Sequence, residues 1–108
     1  MVYPLSSLSI VLPAYNEEGI IRETVERVFK FAKSRGVPFE VIVVNDGSRD
    51  HTGAVLEELQ KTLPELRVVT HEKNKGYGEA LRDGFNAAKN EWLFLMDADG
   101  QFDIEELD

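Results

Sequence analysis

Two carboxylates, Asp97 and Asp99, stand at i and i+2 directly after the apolar run Trp92-Leu93-Phe94-Leu95-Met96 and before Gly100-Gln101. Side chains so spaced at a strand end can converge on one hard cation, and magnesium or manganese held that way keeps positions open for phosphate oxygens. The plain alternative is a solvated acidic turn; the apolar run before the pair and the Gly-Gln after it favour the cation. A second group is Gly76-Tyr77-Gly78, flanked by Lys75 and Arg82. A glycine turn that follows a strand and opens a helix offers backbone N–H groups to an anion, and the two cations add positive charge in an otherwise acidic chain. The third glycine of a dinucleotide fingerprint is missing, because Leu81 stands in its place. A third group, Asn45-Asp46-Gly47-Ser48, carries a carboxylate that can accept from the N–H edge of a uracil or guanine. The same residues can equally form an Asx-type turn, with Asp50 capping the next helix. Tyr15 can stack on a base or close over a core. His51 and His71 are assigned to structure or surface.

These groups need elements to carry them to one place. Short apolar runs at Leu8 to Leu12, Phe39 to Val44, Leu66 to His71 and Trp92 to Met96 are continuous rather than alternating, as expected of strands covered on both faces. Pro13 is expected to stop the first run, since it cannot donate to a central ladder. Between the runs lie helical stripes: Ile21, Val25, Val28, Phe29 and Ala32; then Val55, Leu56, Leu59 and Leu63, ended by Pro64; then Ala80, Leu81, Phe85 and Ala88. Glu23/Arg27 and Glu26/Lys30 are i,i+4 pairs on the solvent side of the first helix. The order βαβαβαβ predicts an α/β fold, a Rossmann-like parallel sheet ordered 3-2-1-4 with helices on both faces. In such a sheet ligands bind beyond the carboxyl ends of the strands, and every polar cluster named above falls there. Asp103 to Asp108 reads as the first turn of a further helix, so the chain is expected to be part of a longer domain.

Composition narrows the chemistry. With 12 Lys and Arg against 20 Asp and Glu, the formal charge of the 108-residue chain is −8, which argues against a general nucleic-acid binder. There is no cysteine, so disulfides, thiolate catalysis and cysteine-based zinc sites are excluded. With 2 histidines, a multi-histidine metal site is not expected, and any metal chemistry must be oxygen-based. Neither a signal peptide nor an apolar run of roughly 18 residues is seen, so a cytoplasmic location is expected.

Four segments occur together and in order: Pro13-Ala14-Tyr15-Asn16-Glu17-Glu18, Asn45-Asp46-Gly47-Ser48, Asn74-Lys75-Gly76-Tyr77-Gly78-Glu79-Ala80-Leu81-Arg82 and Asp97-Ala98-Asp99-Gly100-Gln101-Phe102-Asp103. This set resembles the N-terminal, nucleotide-binding half of a family 2 glycosyltransferase of the GT-A fold. The branch it resembles is that of dolichyl-phosphate mannosyltransferases and polyprenyl-phosphate sugar transferases. The resemblance implies that Pro13, Tyr15 and Glu17 line the nucleoside pocket and that Asp46 contacts the base. It implies that Lys75, Gly76 and Arg82 lie near the donor phosphates or ribose, that Asp97 and Ala98 also touch the donor, and that Asp97, Asp99 and Gln101 surround Mg2+ or Mn2+. It further implies a GDP- or UDP-linked sugar as donor and a polyprenyl phosphate as acceptor, at the cytosolic face of a membrane. No general base is assigned on residues 1–108.

Two rivals stand beside this reading. A truncated half-domain would bind nucleotide weakly without turnover, or self-associate through an exposed sheet edge. A phosphatase of the haloacid-dehalogenase type would use Asp97 as nucleophile and Asp99 as acid/base, but Gln101 replaces the usual threonine or valine there.

Overall fold

The apolar runs form parallel strands because each βα unit returns the chain to the same edge of the sheet. The computed structural model describes residues 7–88 and 92–95. Within them the order is β1 (Leu8–Ala14), α1 (Ile21–Ser34), β2 (Phe39–Asp46), α2 (Thr52–Gln60), β3 (Leu66–His71), α3 (Tyr77–Ala87) and β4 (Trp92–Leu95). The four strands are ordered β3-β2-β1-β4, and every pairing is parallel. The expected topology is therefore the observed one. Register aligns Ala14 with Asn45 and Asp46 with His71, which brings the carboxyl ends of the three strands to one edge.

Alternation along the strands divides the core into two layers. Leu8, Ile10, Leu12, Val41 and Val43 pack with Ile21, Val25, Val28, Phe29 and Ala32 of α1 and with Leu56 and Leu59 of α2. On the other face Val11, Ile42 and Val44 meet Ala80 of α3. Helices thus cover both faces, which explains why the strands read as continuous apolar runs. Phe29 and Phe39 close one side of the larger layer edge to face, with ring centroids 5.4 Å apart. Helix α1 stops where Gly36 adopts φ +68°, a left-handed conformation that glycine takes without steric cost.

Three boundaries differ from expectation, each for a physical reason. β1 runs through Pro13 to Ala14. The Leu8 N–H donates to Pro38 O on the β2 side, and backbone groups alternate sides, so the Pro13 nitrogen turns away from β2. The described register of β1 with β4 runs from Leu8↔Trp92 to Val11↔Leu95. β2 continues through Asn45 and Asp46, both buried, because their side chains bond to neighbouring loops rather than to water. α2 ends at Gln60, before Pro64; Leu63 lies outside the helix yet still packs on the core. The expected helix beginning near Asp103 lies outside the described residues.

Candidate functional site

The carboxyl edge is a set of loops tied to one another by side chains. After β1, Asn16 takes a left-handed φ of 54°, which asparagine tolerates. Its N–H donates to Ser48 Oγ at 3.0 Å, and its Oδ1 accepts the Arg49 N–H at 2.8 Å. The Glu17 N–H donates to Thr52 Oγ1 at 2.8 Å and the Glu18 N–H to Asp50 Oδ2 at 3.2 Å. Asp50 Oδ1 also accepts the Thr52 N–H at 2.9 Å, but from the position before the N-cap, which is His51 rather than the expected Asp50. Burial resists the charge of the Asp50 carboxyl, but the bonds from Thr52 and Glu18 outweigh it and hold the group below the ordinary carboxylate range. The β1–α1 and β2–α2 loops are in this way one unit, and Tyr15, with a relative exposure of 42%, stands on it.

Asp46 is the hub of the edge. It is buried at the last position of β2. Oδ1 accepts the Lys75 N–H at 2.9 Å and Oδ2 accepts the Gly76 N–H at 3.0 Å. Oδ1 also lies 2.7 Å from Nδ1 of His71, whose Nε2 lies 2.6 Å from Asp83 Oδ2 on α3. Burial opposes the Asp46 charge, yet the bond from His71, those from the Lys75 and Gly76 N–H groups, and the charge of His71 together hold the carboxyl below its ordinary range. An ionised carboxylate can only accept. A carboxylate offers about four acceptor positions; His71, Lys75 and Gly76 fill three on Asp46, leaving one on Oδ2.

The β3–α3 turn is set by the same carboxylate. Gly76 has φ +95° and its N–H is used by Asp46, so the open N–H groups of α3 begin within the helix itself. Gly47, with φ +73°, lies under this turn so closely that a Cβ there would stand 2.3 Å from Asn74 N. Asn74 Nδ2 donates to Asp46 O at 3.3 Å. Lys75 is exposed, and an open cavity beside it is lined by Thr70, His71, Glu72, Lys73 and Lys75.

Among the residues singled out from sequence, Asp46, Lys75 and Gly76 are in direct contact. Pro13 lies near the end of β1, and Tyr15 and Glu17 on the adjoining loop after it. Arg82 is on the exposed side of α3, 3.6 Å from Glu79. Asp97, Ala98, Asp99 and Gln101 lie outside the described residues. Among the described residues no cluster of three His, Cys, Asp or Glu could hold a metal, and Asp46 is engaged by N–H donors instead. The carboxylate and amide oxygens of Asp97, Asp99 and Gln101 are of the type that suits a hard divalent cation. Two partners were not anticipated, His71 and Asp83. The available signal was that His71 ends the third apolar run as Asp46 follows the second, and adjacent parallel strands place such ends side by side. His51 is exposed and pairs with Glu18 at 3.0 Å, as a surface residue.

The fold and this edge have known counterparts. The family described as Glycosyl transferase family 2 matches residues 9–108. The human dolichyl-phosphate beta-glucosyltransferase is 36% identical over 97% of this chain and 36% of its own length. The undecaprenyl-phosphate 4-deoxy-4-formamido-L-arabinose transferase of Edwardsiella ictaluri is 35% identical over 93% of this chain and 31% of its own. Among solved structures, the mannosyltransferase PcManGT of Pyrobaculum calidifontis, in complex with GDP-Man and Mn2+, superposes with a TM-score of 0.74 at 26% identity, covering 85% of this chain and 27% of that one. S. aureus TarS in complex with UDP-GlcNAc gives 0.74 at 31% identity, covering 86% and 26%. The chain thus spans about a third of the length of the curated relatives it matches. A match over nearly the whole chain leaves the phosphatase alternative without support. Among the described residues no helix is long and apolar enough to cross a membrane.

Proposed function

Because this chain belongs to glycosyl transferase family 2, we propose that it is the donor-binding half of an inverting, metal-dependent transferase. Its substrates are a nucleoside-diphosphate sugar, linked to uridine or guanosine, and a polyprenyl or dolichyl phosphate. The observation that carries this reading is Asp46: a buried carboxylate, kept ionised, with one acceptor position left at the carboxyl edge of the sheet. That position suits the imino N–H of uracil or guanine and repels the ring nitrogen lone pair that cytosine or adenine presents instead. Tyr15 stacks on the base, while Pro13 and Glu17 line the pocket beside it.

Lys75 and Arg82 stand on the donor's phosphate side, where their charge favours the diphosphate as it departs. Asp97, Asp99 and Gln101 hold the divalent cation, Mg2+ or Mn2+, which supplies Lewis-acid stabilisation of that leaving group. Attack from the opposite face inverts the anomeric carbon. A lipid phosphate acceptor is already anionic, so its oxygen attacks without a base removing a proton. Isothermal titration of the intact protein with UDP, GDP, CDP and ADP, with Mn2+ and with chelator, tests the reading. UDP or GDP should bind, and more tightly with Mn2+. Equal binding of all four bases, or none of any, would overturn it.

A further inference from the structure

Asp46 is not held by its own strand. The ring of His71, its register partner on β3, bridges it to Asp83 on α3 through contacts of 2.7 and 2.6 Å. The His71 side chain is 5% exposed and that of Asp83 32%. We propose that His71 and Asp83 are positioning residues for Asp46: they fix the plane of its carboxylate and hence the direction of the remaining acceptor position, and so set the base selectivity of the donor site. The inference rests on the reading of Asp46 as the base contact given above.

The argument is one of rotational freedom and charge. The χ2 torsion of an aspartate is broad, so a carboxylate alone does not fix the plane in which its lone pairs point. Here Oδ1 receives two donors, the His71 ring and the Lys75 N–H, while Oδ2 receives the Gly76 N–H. The unequal loading leaves the open position on Oδ2. A histidine ring can also turn over about its own χ2, which would put a carbon where Nδ1 now stands. Asp83 prevents this by holding Nε2 from the far side. Carboxylate oxygens thus face the His71 ring at both nitrogens and pin it between β2 and α3. Asp83 is half-buried on α3, whereas the neighbouring Arg82 side chain is exposed and pairs with Glu79 instead.

The test is titration calorimetry on the intact protein and on the variants H71A, D83A and D83N, using UDP and GDP, the base-altered controls CDP and ADP, and inorganic pyrophosphate as a base-free probe. H71A and D83A should each reduce the preference for UDP or GDP over CDP and ADP about tenfold. D83N, whose amide oxygen can still accept from Nε2, should lose less, about threefold. Pyrophosphate affinity should stay at the wild-type value in all three. Should H71A not fold, D83A and D83N, on a partly exposed helix face, decide the matter alone. Unchanged selectivity in folded D83A overturns the positioning role, as does a parallel loss of pyrophosphate binding, which would mark a general disturbance. A wild-type protein that binds pyrophosphate but shows no base preference would overturn the Asp46 reading itself, a result distinct from failure of the positioning role.

Discussion

Gly84 in α3 lies against Val11 of β1 so closely that a Cβ at position 84 would stand 2.4 Å from Val11 Cγ1 and 3.1 Å from Val44 Cγ2. The glycine is what lets the helix bearing Arg82 and Asp83 approach the sheet. Both contacted atoms belong to buried, β-branched side chains with little room to move. G84A should therefore destabilise the fold by about 1–3 kcal/mol, the usual cost of overpacking. Urea denaturation at neutral pH measures it, and an unchanged midpoint would show that α3 can shift outward freely.

Gly47 presents a harder case, because its neighbours are backbone. With φ +73° and a built Cβ 2.3 Å from Asn74 N and 2.5 Å from Lys73 C, G47A has both a conformational and a steric penalty. The β3–α3 turn would have to move off Asp46. We expect a loss of stability larger than for G84A, and loss of nucleoside diphosphate binding in whatever fraction stays folded. Binding that survives in G47A would mean that the turn is not part of the donor site.

At the opposite, amino edge, Arg67 Nη1 donates to Glu40 Oε1 at 2.9 Å and to Ala87 O at the end of α3 at 2.6 Å, while Ser9 Oγ donates to Glu40 Oε2 at 2.7 Å. Glu40 is buried. R67M should cost about 1–3 kcal/mol, since a charged acceptor loses a donor. Being at the far end of the strands, it should leave nucleotide affinity unchanged. Paired melting and titration data on R67M would separate stability from site; a fall in affinity would contradict that separation.

Much of this architecture was legible from the residues, and the exceptions share a cause. Continuous valine and leucine runs such as Val41 to Val44 announce a strand covered on both faces, and the Ile21-to-Ala32 stripe announces α1. Pro13 misled because its nitrogen faces away from β2, so the β1–β2 ladder continues past it, and sidedness is a property of register. His71 and Asp83 were not read as partners of Asp46 for the same reason. Their alliance depends on Asp46↔His71 pairing across strands and on α3 crossing the sheet at Gly84, neither of which a local window contains. Asp46 was singled out as a base contact or an Asx turn; its bonds to the next loop, from the Lys75 and Gly76 N–H groups, were not foreseen.

Acid should unfold the protein through groups already identified. Asp46 and Asp50 both sit below their ordinary value of 3.8 when folded. Near and below that value the unfolded chain binds more protons than the native one, so stability rises with pH there. Their contribution is complete above the unfolded value and is lost as pH falls through the folded one, broadly below about pH 5. D50N should flatten this acid limb in urea midpoints measured across that range. An acid limb as steep as wild type would remove Asp50 from the account.

The proposed metal dependence of donor binding rests on the charge of Asp97 and Asp99. A diphosphate approaching two carboxylates meets repulsion of about 4 kcal/mol per unit-charge pair at 4 Å and an effective dielectric of 20. A divalent cation held by these carboxylates would offset that repulsion. UDP or GDP should accordingly bind the intact protein more tightly with Mn2+ or Mg2+ than with chelator. D99N removes one carboxylate charge, so it should weaken the cation and abolish much of the difference between the two conditions. D46A should instead lower affinity equally with and without metal, because its contact is to the base. Titration of both variants in both conditions gives four numbers that separate the two contributions. If D99N kept the full metal-dependent gain, the paired-carboxylate site would have to be abandoned, whatever D46A showed.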